Sequence, residues 1–88
     1  AYSLLGWSYT ANGDYSNGYK NLIKAIELDP NLASAYINLG LWYQKQGEIE
    51  EPKENYLKSY ELDPNGPVGN LAGERYNEIV TNPEVSQQ

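Results

Sequence analysis

Four glutamates lie close together in the sequence and are the candidates for metal-ion chemistry. They are Glu48, Glu50, Glu51 and Glu54. Hard cations take oxygen ligands, so a carboxylate cluster is the pattern expected of a calcium or magnesium site. These residues also begin a predicted helix, where negative charge complements the helix dipole and needs no metal to explain it. We therefore predict no metal site and no cofactor.

Acid–base and nucleophilic catalysis have few candidate residues in this composition. The sequence has no histidine, the side chain most used for proton transfer near neutral pH. It has no cysteine, so it can form neither thiolate zinc sites nor disulfides. No serine or threonine has an evident base to activate it, and most of the nine tyrosines suit core packing. We predict that the chain is not an enzyme and has no catalytic residue.

The net charge argues against two classes of partner. The 88 residues carry a formal charge of -6, which repels nucleic-acid phosphates and anionic lipids. No stretch reaches the ~20 apolar residues of a membrane span, and the first residues lack the basic end and cleavage site of a signal peptide. We expect a soluble domain that binds neither nucleic acid nor membrane, with no cellular location assigned. A start at Ala1 inside an apolar helical pattern suggests an excised or engineered fragment.

The sequence repeats itself at a fixed offset of 34 residues. Residues 1–9, AYSLLGWSY, align with residues 35–43, AYINLGLWY, and residues 21–31, NLIKAIELDPN, align with residues 55–65, NYLKSYELDPN. Repeats of this length are typical of stacked helical units. The repeat is therefore the strongest structural signal in the sequence.

Apolar spacing within each copy predicts helices. Tyr2, Leu5 and Tyr9 fall at i, i+3 and i+7, which forms one stripe of a helix, and the second copy repeats the stripe. Both stripes need to be covered, and the apolar faces of the second helix in each copy are the predicted cover. The pattern predicts no strand and five helices, near residues 1–12, 15–29, 33–46, 49–62 and 67–80.

Glycine and proline positions mark close contacts and helix ends. Gly6 and Gly40 fall in mid-helix, where glycine costs roughly 0.5 to 1 kcal/mol relative to alanine, so a close helix–helix approach is the expected compensation. Gly13 and Gly47 fall at helix ends that favour a left-handed backbone. The Asp-Pro-Asn segment that ends each copy stops the second helix, because proline disfavours helical backbone in the residue before it.

These features together resemble the tetratricopeptide repeat family. The resemblance rests on an aromatic residue, Leu-Gly, a tyrosine, a turn glycine and Leu-Asp-Pro-Asn, all present in both copies. It implies an all-α superhelix of helical hairpins in a single domain over residues 1–80. The implied units are repeat 1 at 1–31, repeat 2 at 32–65, a capping helix at 66–80 and a polar tail at 81–88.

The predicted fifth helix resembles the first helix of a third repeat. Gly73 and Tyr76 echo Gly40 and Tyr43 at an offset of 33. Pro67 suits the first turn of this helix. We expect the helix to cover the apolar face of the last hairpin, as terminal elements of repeat arrays do.

Three residues depart from the family pattern. Gly18 and Pro52 stand where the second helix usually carries a small alanine. Pro52 is tolerable in a first turn, and Gly18 is expected only to weaken its helix. Trp42 is bulky where the first copy has Ser8. We expect either that the fifth helix packs around its ring or that the ring belongs to an interface.

The family resemblance also implies a binding surface. Ligands of this family usually lie along the concave surface made by the first helix of each hairpin. The residues implied to bind a peptide there are Leu4, Trp7, Ile37, Asn38, Leu41, Gln44 and Lys45. The four apolar residues form a strip that is either an interface or residual surface hydrophobicity, and the tryptophan favours an interface. A lysine- and arginine-rich clamp for a peptide carboxylate is not expected, because the groove offers only Asn38 and Lys45.

Two functions follow from this pattern. The first is a scaffold or adaptor module that binds an extended or helical segment of a protein or peptide on its concave face. The alternative is a structural or designed repeat protein that forms homo-oligomers through its uncapped first helix or the apolar strip. Absence of cysteine, methionine, phenylalanine and histidine suits a designed sequence. The fold alone does not identify a partner.

Overall fold

The computed structural model describes residues 2–81 and contains only helices in that range. Its elements are α1 Tyr2–Ala11, α2 Tyr15–Leu28, α3 Ala33–Lys45, α4 Glu50–Leu62 and α5 Pro67–Thr81. The all-α prediction is confirmed, and each predicted helix bound within the described residues lies within one residue of the observed bound. Thr81, assigned to the tail, is the last residue of α5. Ala1 and residues 82–88, which include the rest of the predicted tail, lie outside the described residues.

The helices pack as successive antiparallel neighbours. α1 packs on α2 to form the first hairpin, and α3 packs on α4 to form the second. α2 contacts α3 and so joins the two hairpins, and α5 packs on α4. α1 contacts α3 and α3 contacts α5, so these three helices lie side by side. The arrangement places the first helix of each hairpin and α5 on one side of a body that measures 32 × 29 × 17 Å.

Turn and capping residues set the ends of the helices. Gly13 and Gly47 have φ angles of 84° and 83°, the left-handed backbone predicted for them. Asp14 caps α2, because its carboxylate accepts a hydrogen bond from the backbone N–H of Asn17 at 3.3 Å. Pro67 is the first residue of α5, as predicted.

The mid-helix glycines allow the two hairpins to close tightly. A Cβ atom on Gly6 would lie 2.6 Å from Leu22 Cγ, and one on Gly40 would lie 2.6 Å from Tyr56 Cε1. Both distances are shorter than real contacts allow. The prediction of a close helix–helix approach at both glycines is therefore confirmed.

Gly18 has a packing role that the sequence did not indicate. A Cβ atom there would lie 2.5 Å from Thr10 Oγ1, which itself donates a hydrogen bond to the carbonyl of Gly6 at 2.7 Å. Thr10 is buried at this crossing. Gly18 is thus required by the buried threonine opposite it, and the expectation that it only weakens its helix is wrong. Pro52 lies in the first turn of α4, where it was expected to be tolerated.

Trp42 packs on α2 and not on the fifth helix. Its indole Nε1 donates a hydrogen bond to the carbonyl of Tyr15 at 2.8 Å. Its ring centroid lies 4.9 Å from that of Tyr19 and 5.2 Å from that of Tyr43. The expectation that the fifth helix packs around the ring is wrong, because the ring joins the two hairpins; an interface role for Trp42 stays a prediction.

Only one of the two apolar stripes is covered. Leu39 of α3 is 6% exposed, whereas its counterpart Leu5 of α1 is 44% exposed. α2 packs against the side of α3 that carries Leu39, as the contact of Trp42 with Tyr19 shows. Among residues 2–81, no helix occupies the corresponding side of α1, so the expectation that both stripes are covered is wrong for α1.

Candidate functional site

The open face of the molecule is made by α1, α3 and α5, which lie side by side. Equivalent positions on these helices, offset by 34 and then 33 residues, form three rows across the face. The rows are Leu4–Asn38–Leu71, Trp7–Leu41–Glu74 and Ala11–Lys45–Glu78. All nine residues are exposed or half-buried. We call this surface the open face.

Five of the seven residues implied to bind a peptide belong to the open face. Leu4 is 67% exposed and Lys45 is exposed. Trp7, Asn38 and Leu41 are half-buried, and Leu41 also packs on the core below it. The fold therefore brings these five residues together on one surface, and their binding of a peptide stays a prediction.

Ile37 is not part of this surface. It is buried in a core cluster with Tyr56, Ala72 and Ile79. Two of these three residues belong to α5, so the helix that follows the second hairpin covers Ile37. The expected apolar strip therefore loses this member, and Leu41 alone continues it on α3.

Gln44 faces the interior of its hairpin. Its Oε1 accepts a hydrogen bond from the Tyr56 hydroxyl at 2.6 Å. Burial raises the pKa of Tyr56 to about 12, and the nearby charge of Arg75 partly opposes this rise. The phenol is thus held as a neutral donor, and Gln44 links α3 to α4.

Asn38 joins the two hairpins at the seam between α1 and α3. Its amide nitrogen donates to the carbonyl of Ser3 at 3.2 Å and to Ser3 Oγ at 3.1 Å. Ser3 Oγ also donates to Ser34 Oγ at 3.2 Å. Within the described chain, Asn38 Oδ1 has no hydrogen-bond partner. These hydrogen bonds hold the Asn38 side chain at the seam between the two hairpins.

The face has little positive charge. Lys45 is the only basic residue in the three rows, and Arg75 is half-buried beside Tyr56. In the described part of the chain the Arg75 Nε is a buried nitrogen with no hydrogen-bond partner. The arrangement lacks the paired basic residues that hold a peptide carboxylate.

Three residues of α5 complete the face, and the sequence interpretation did not include them. They are Leu71, Glu74 and Glu78, all exposed. The offset of 33 that relates Gly40 to Gly73 also relates Asn38, Leu41 and Lys45 to these positions, so the signal was present. The face is apolar at α1 and acidic at α5.

Metal and membrane signals are absent from residues 2–81. No group of three or more potential metal ligands gathers there, and Glu50 of the acidic run pairs with Lys53 at 3.3 Å. None of the helices in this range is long and apolar enough to cross a membrane.

Fold and surface together define an all-α protein of stacked helical hairpins. A family model described as "TPR repeat" matches residues 6–47, and one described as "Tetratricopeptide repeat" matches residues 33–65. Together they span residues 6–65, and the chain belongs to the tetratricopeptide repeat proteins. Comparisons with curated proteins and with solved structures gave no match.

Proposed function

We propose that the chain binds an extended segment of another protein across its open face. Tetratricopeptide repeats generally mediate protein–protein interactions and are typically not enzymes. The observation that supports this surface is the alignment of three rows of accessible side chains on α1, α3 and α5. Leu4, the most exposed large apolar residue among residues 2–81, stands at one end of these rows.

The chemistry of the face favours a particular kind of segment. Leu4, Trp7 and Leu71 offer apolar contact area, and aromatic anchors of this kind carry a large share of binding energy. Asn38 Oδ1 offers an acceptor for a backbone N–H group. Glu74 and Glu78 stand one turn apart on α5 and favour basic side chains there. The expected ligand is apolar over α1 and basic over α5.

Selection from a displayed library of random peptides tests this proposal. Peptides selected for binding to the native chain are expected to bind the Trp7→Ala variant at least about tenfold more weakly. A loss of affinity of this size is typical of an interface tryptophan. Leu28→Ala is the matched control, because Leu28 is an exposed residue of α2 outside the face. Circular dichroism establishes that both variants keep their helices.

The charge preference has its own readout. Selected peptides are expected to be enriched in lysine and arginine, and Glu74→Gln with Glu78→Gln should reduce their affinity most at low salt. Selected peptides that bind the Trp7→Ala and Leu4→Ala variants as tightly as the native chain would show that the open face is not the binding surface.

Self-association is a second candidate, favoured by the uncovered stripe of α1. Tyr2 and Leu5 are exposed there, while the buried Leu39 shows that a helix can cover the same positions. The net charge of -6 opposes association of two copies. Light scattering over a concentration series should show a dimer or larger species that Leu5→Glu abolishes. A monomer at the highest concentration reached would exclude this candidate.

A further inference from the structure

Three asparagines in the chain are followed directly by a glycine. They are Asn12, Asn17 and Asn65. In such a pair the backbone nitrogen of the glycine can attack the side-chain amide of the asparagine, because glycine has no side chain to obstruct the approach. The attack needs an accessible amide and a backbone that is free to rotate. The three pairs have different surroundings in the fold, so we expect them to differ in reactivity.

The pair Asn12 and Gly13 lies in the turn between α1 and α2 and meets both requirements. Both residues are exposed, and within the described range no group forms a hydrogen bond with the Asn12 side chain. Around Gly13, no atom beyond the chain neighbours lies within 4 Å of the position that a Cβ atom would take. The Gly13 N–H donates to the carbonyl of Thr10 at 3.1 Å. This hydrogen bond lies at a helix end, where opening costs least.

The pair Asn17 and Gly18 is held inside α2. Asn17 Nδ2 donates to Asp14 Oδ2 at 2.8 Å, and the Gly18 N–H donates to the carbonyl of Asp14 at 2.9 Å. Gly18 is also buried against Thr10. Both reacting groups are therefore already hydrogen-bonded, and the first turn of α2 must open before they can meet.

The pair Asn65 and Gly66 is crowded by Asp63. The Gly66 N–H donates to the carbonyl of Asp63 at 3.3 Å, and the Gly66 carbonyl accepts from the N–H of Asn70 at 3.0 Å. A Cβ atom on Gly66 would clash with the Asp63 carboxylate. This negative charge opposes loss of the proton from the Gly66 nitrogen, which is the step that begins the reaction.

We propose that Asn12 is a site of spontaneous deamidation, and that this modification loosens the turn between α1 and α2. The Gly13 nitrogen loses its proton to solvent and forms a bond to Asn12 Cγ, while Nδ2 takes a proton from solvent and leaves as ammonia. Water then opens the resulting cyclic imide at either carbonyl carbon. One product has aspartate at position 12. The other has isoaspartate, in which the backbone runs through the side-chain carbon.

The products disturb the turn in two ways. Both place a new negative charge just beyond the C-terminal end of α1, where the helix dipole disfavours it. Isoaspartate also adds a carbon atom to the backbone of the turn. The turn is closed by the Asp14 N–H, which donates to the carbonyl of Tyr9 at 2.9 Å. We expect the longer backbone to break this hydrogen bond.

Incubation of the native chain at mildly alkaline pH, followed by peptide mapping with mass spectrometry, measures the rate at each asparagine. Asn12 should react at least about tenfold faster than Asn17 or Asn65. This ratio needs about 1.4 kcal/mol of additional opening free energy at the slower sites. The chain unfolded in urea is the matched control, in which the three rates should approach one another. If Asn17 or Asn65 reacts as fast as Asn12 in the folded chain, the assignment of the site is overturned.

The effect on the turn has its own readout. The modified chains separate from the native chain by ion exchange, because they carry one more negative charge. The Asn12→Asp variant carries this charge without the added backbone carbon. The isoaspartate chain should have a lower Tm than Asn12→Asp in thermal unfolding. Equal Tm values would overturn the proposal that the modification loosens the turn.

Discussion

Two glycines at equivalent positions should respond to the same mutation with opposite sign. Gly40 and Gly73 occupy corresponding sites on α3 and α5, but only Gly40 is pressed against a buried side chain. Alanine gains about 1 kcal/mol over glycine inside a helix, and this gain should apply at both sites. The difference between the two variants therefore reports the packing around each glycine.

The expected cost at Gly40 follows from the geometry. An added Cβ would lie 2.6 and 2.8 Å from two atoms of the Tyr56 ring. Tyr56 is fully buried and its hydroxyl is bound to Gln44, so the ring has little room to move. Overpacking of this kind costs about 1 to 3 kcal/mol. After the helix gain of about 1 kcal/mol, Gly40→Ala should be less stable than the native chain by up to about 2 kcal/mol.

The expected result at Gly73 is neutral or stabilising. Its closest contact would be 3.1 Å, to the exposed ring of Tyr60, which can rotate towards solvent. Gly73→Ala should keep most of the helix gain, about 0.5 to 1 kcal/mol. The two variants should then differ by about 2 kcal/mol, or about 10 °C in Tm for a chain of this size.

Urea and thermal unfolding followed by far-ultraviolet circular dichroism measure both variants. Equal slopes of the free energy of unfolding against urea would show that the unfolded state is unchanged. A Gly40→Ala variant that is stabilised by the full helix gain of about 1 kcal/mol would refute the close-packing argument. A Gly73→Ala variant as unstable as Gly40→Ala would show that Gly73 is packed as tightly as Gly40.

Further predictions concern the stripes, a cap and the buried phenol. Leu39→Ala should cost about 2 to 4 kcal/mol of unfolding free energy and Leu5→Ala less than about 1, because only Leu39 is buried; equal costs in urea titrations would contradict this. Asp14→Ala should lower the free energy of unfolding by about 1 kcal/mol, because it removes the cap of α2, whereas Asp14→Asn should retain most of the stability of the native chain. The raised pKa of Tyr56 stabilises the fold fully below the ordinary tyrosine pKa of 10.0, and this contribution is lost as pH rises towards about 12. Stability should fall by about 2 kcal/mol over that range, and by less in Tyr56→Phe.

The fold could be predicted from the sequence because local signals agree. Gly13 and Gly47 mark turns that need a left-handed backbone, and Pro67 marks the start of α5. The role of Gly18 could not be predicted in the same way. It depends on Thr10 lying opposite on another helix, and no periodicity within α2 records that crossing.

Less of the candidate site could be predicted from the sequence. Ile37 has the position of a surface residue in a two-hairpin alignment, but α5 covers it. Gln44 has a polar side chain on the same helix, yet its oxygen serves Tyr56 inside the hairpin. In both cases a contact between separate helices decides the outcome, and residue type alone does not reveal it. Leu71 on α5 could have been included, because the offset of 33 that relates Gly73 to Gly40 also relates Leu71 to Asn38.

The seam between the two hairpins gives Asn38 a mechanical role. Its amide nitrogen is tethered to α1 through Ser3, while its Oδ1 has no hydrogen-bond partner among the described residues. A ligand that donates a hydrogen bond to Asn38 Oδ1 would bind a side chain that is already anchored to the neighbouring hairpin. Binding of that ligand would then resist twisting of one hairpin against the other. The contact between the hairpins would become stiffer without any change in its apolar packing.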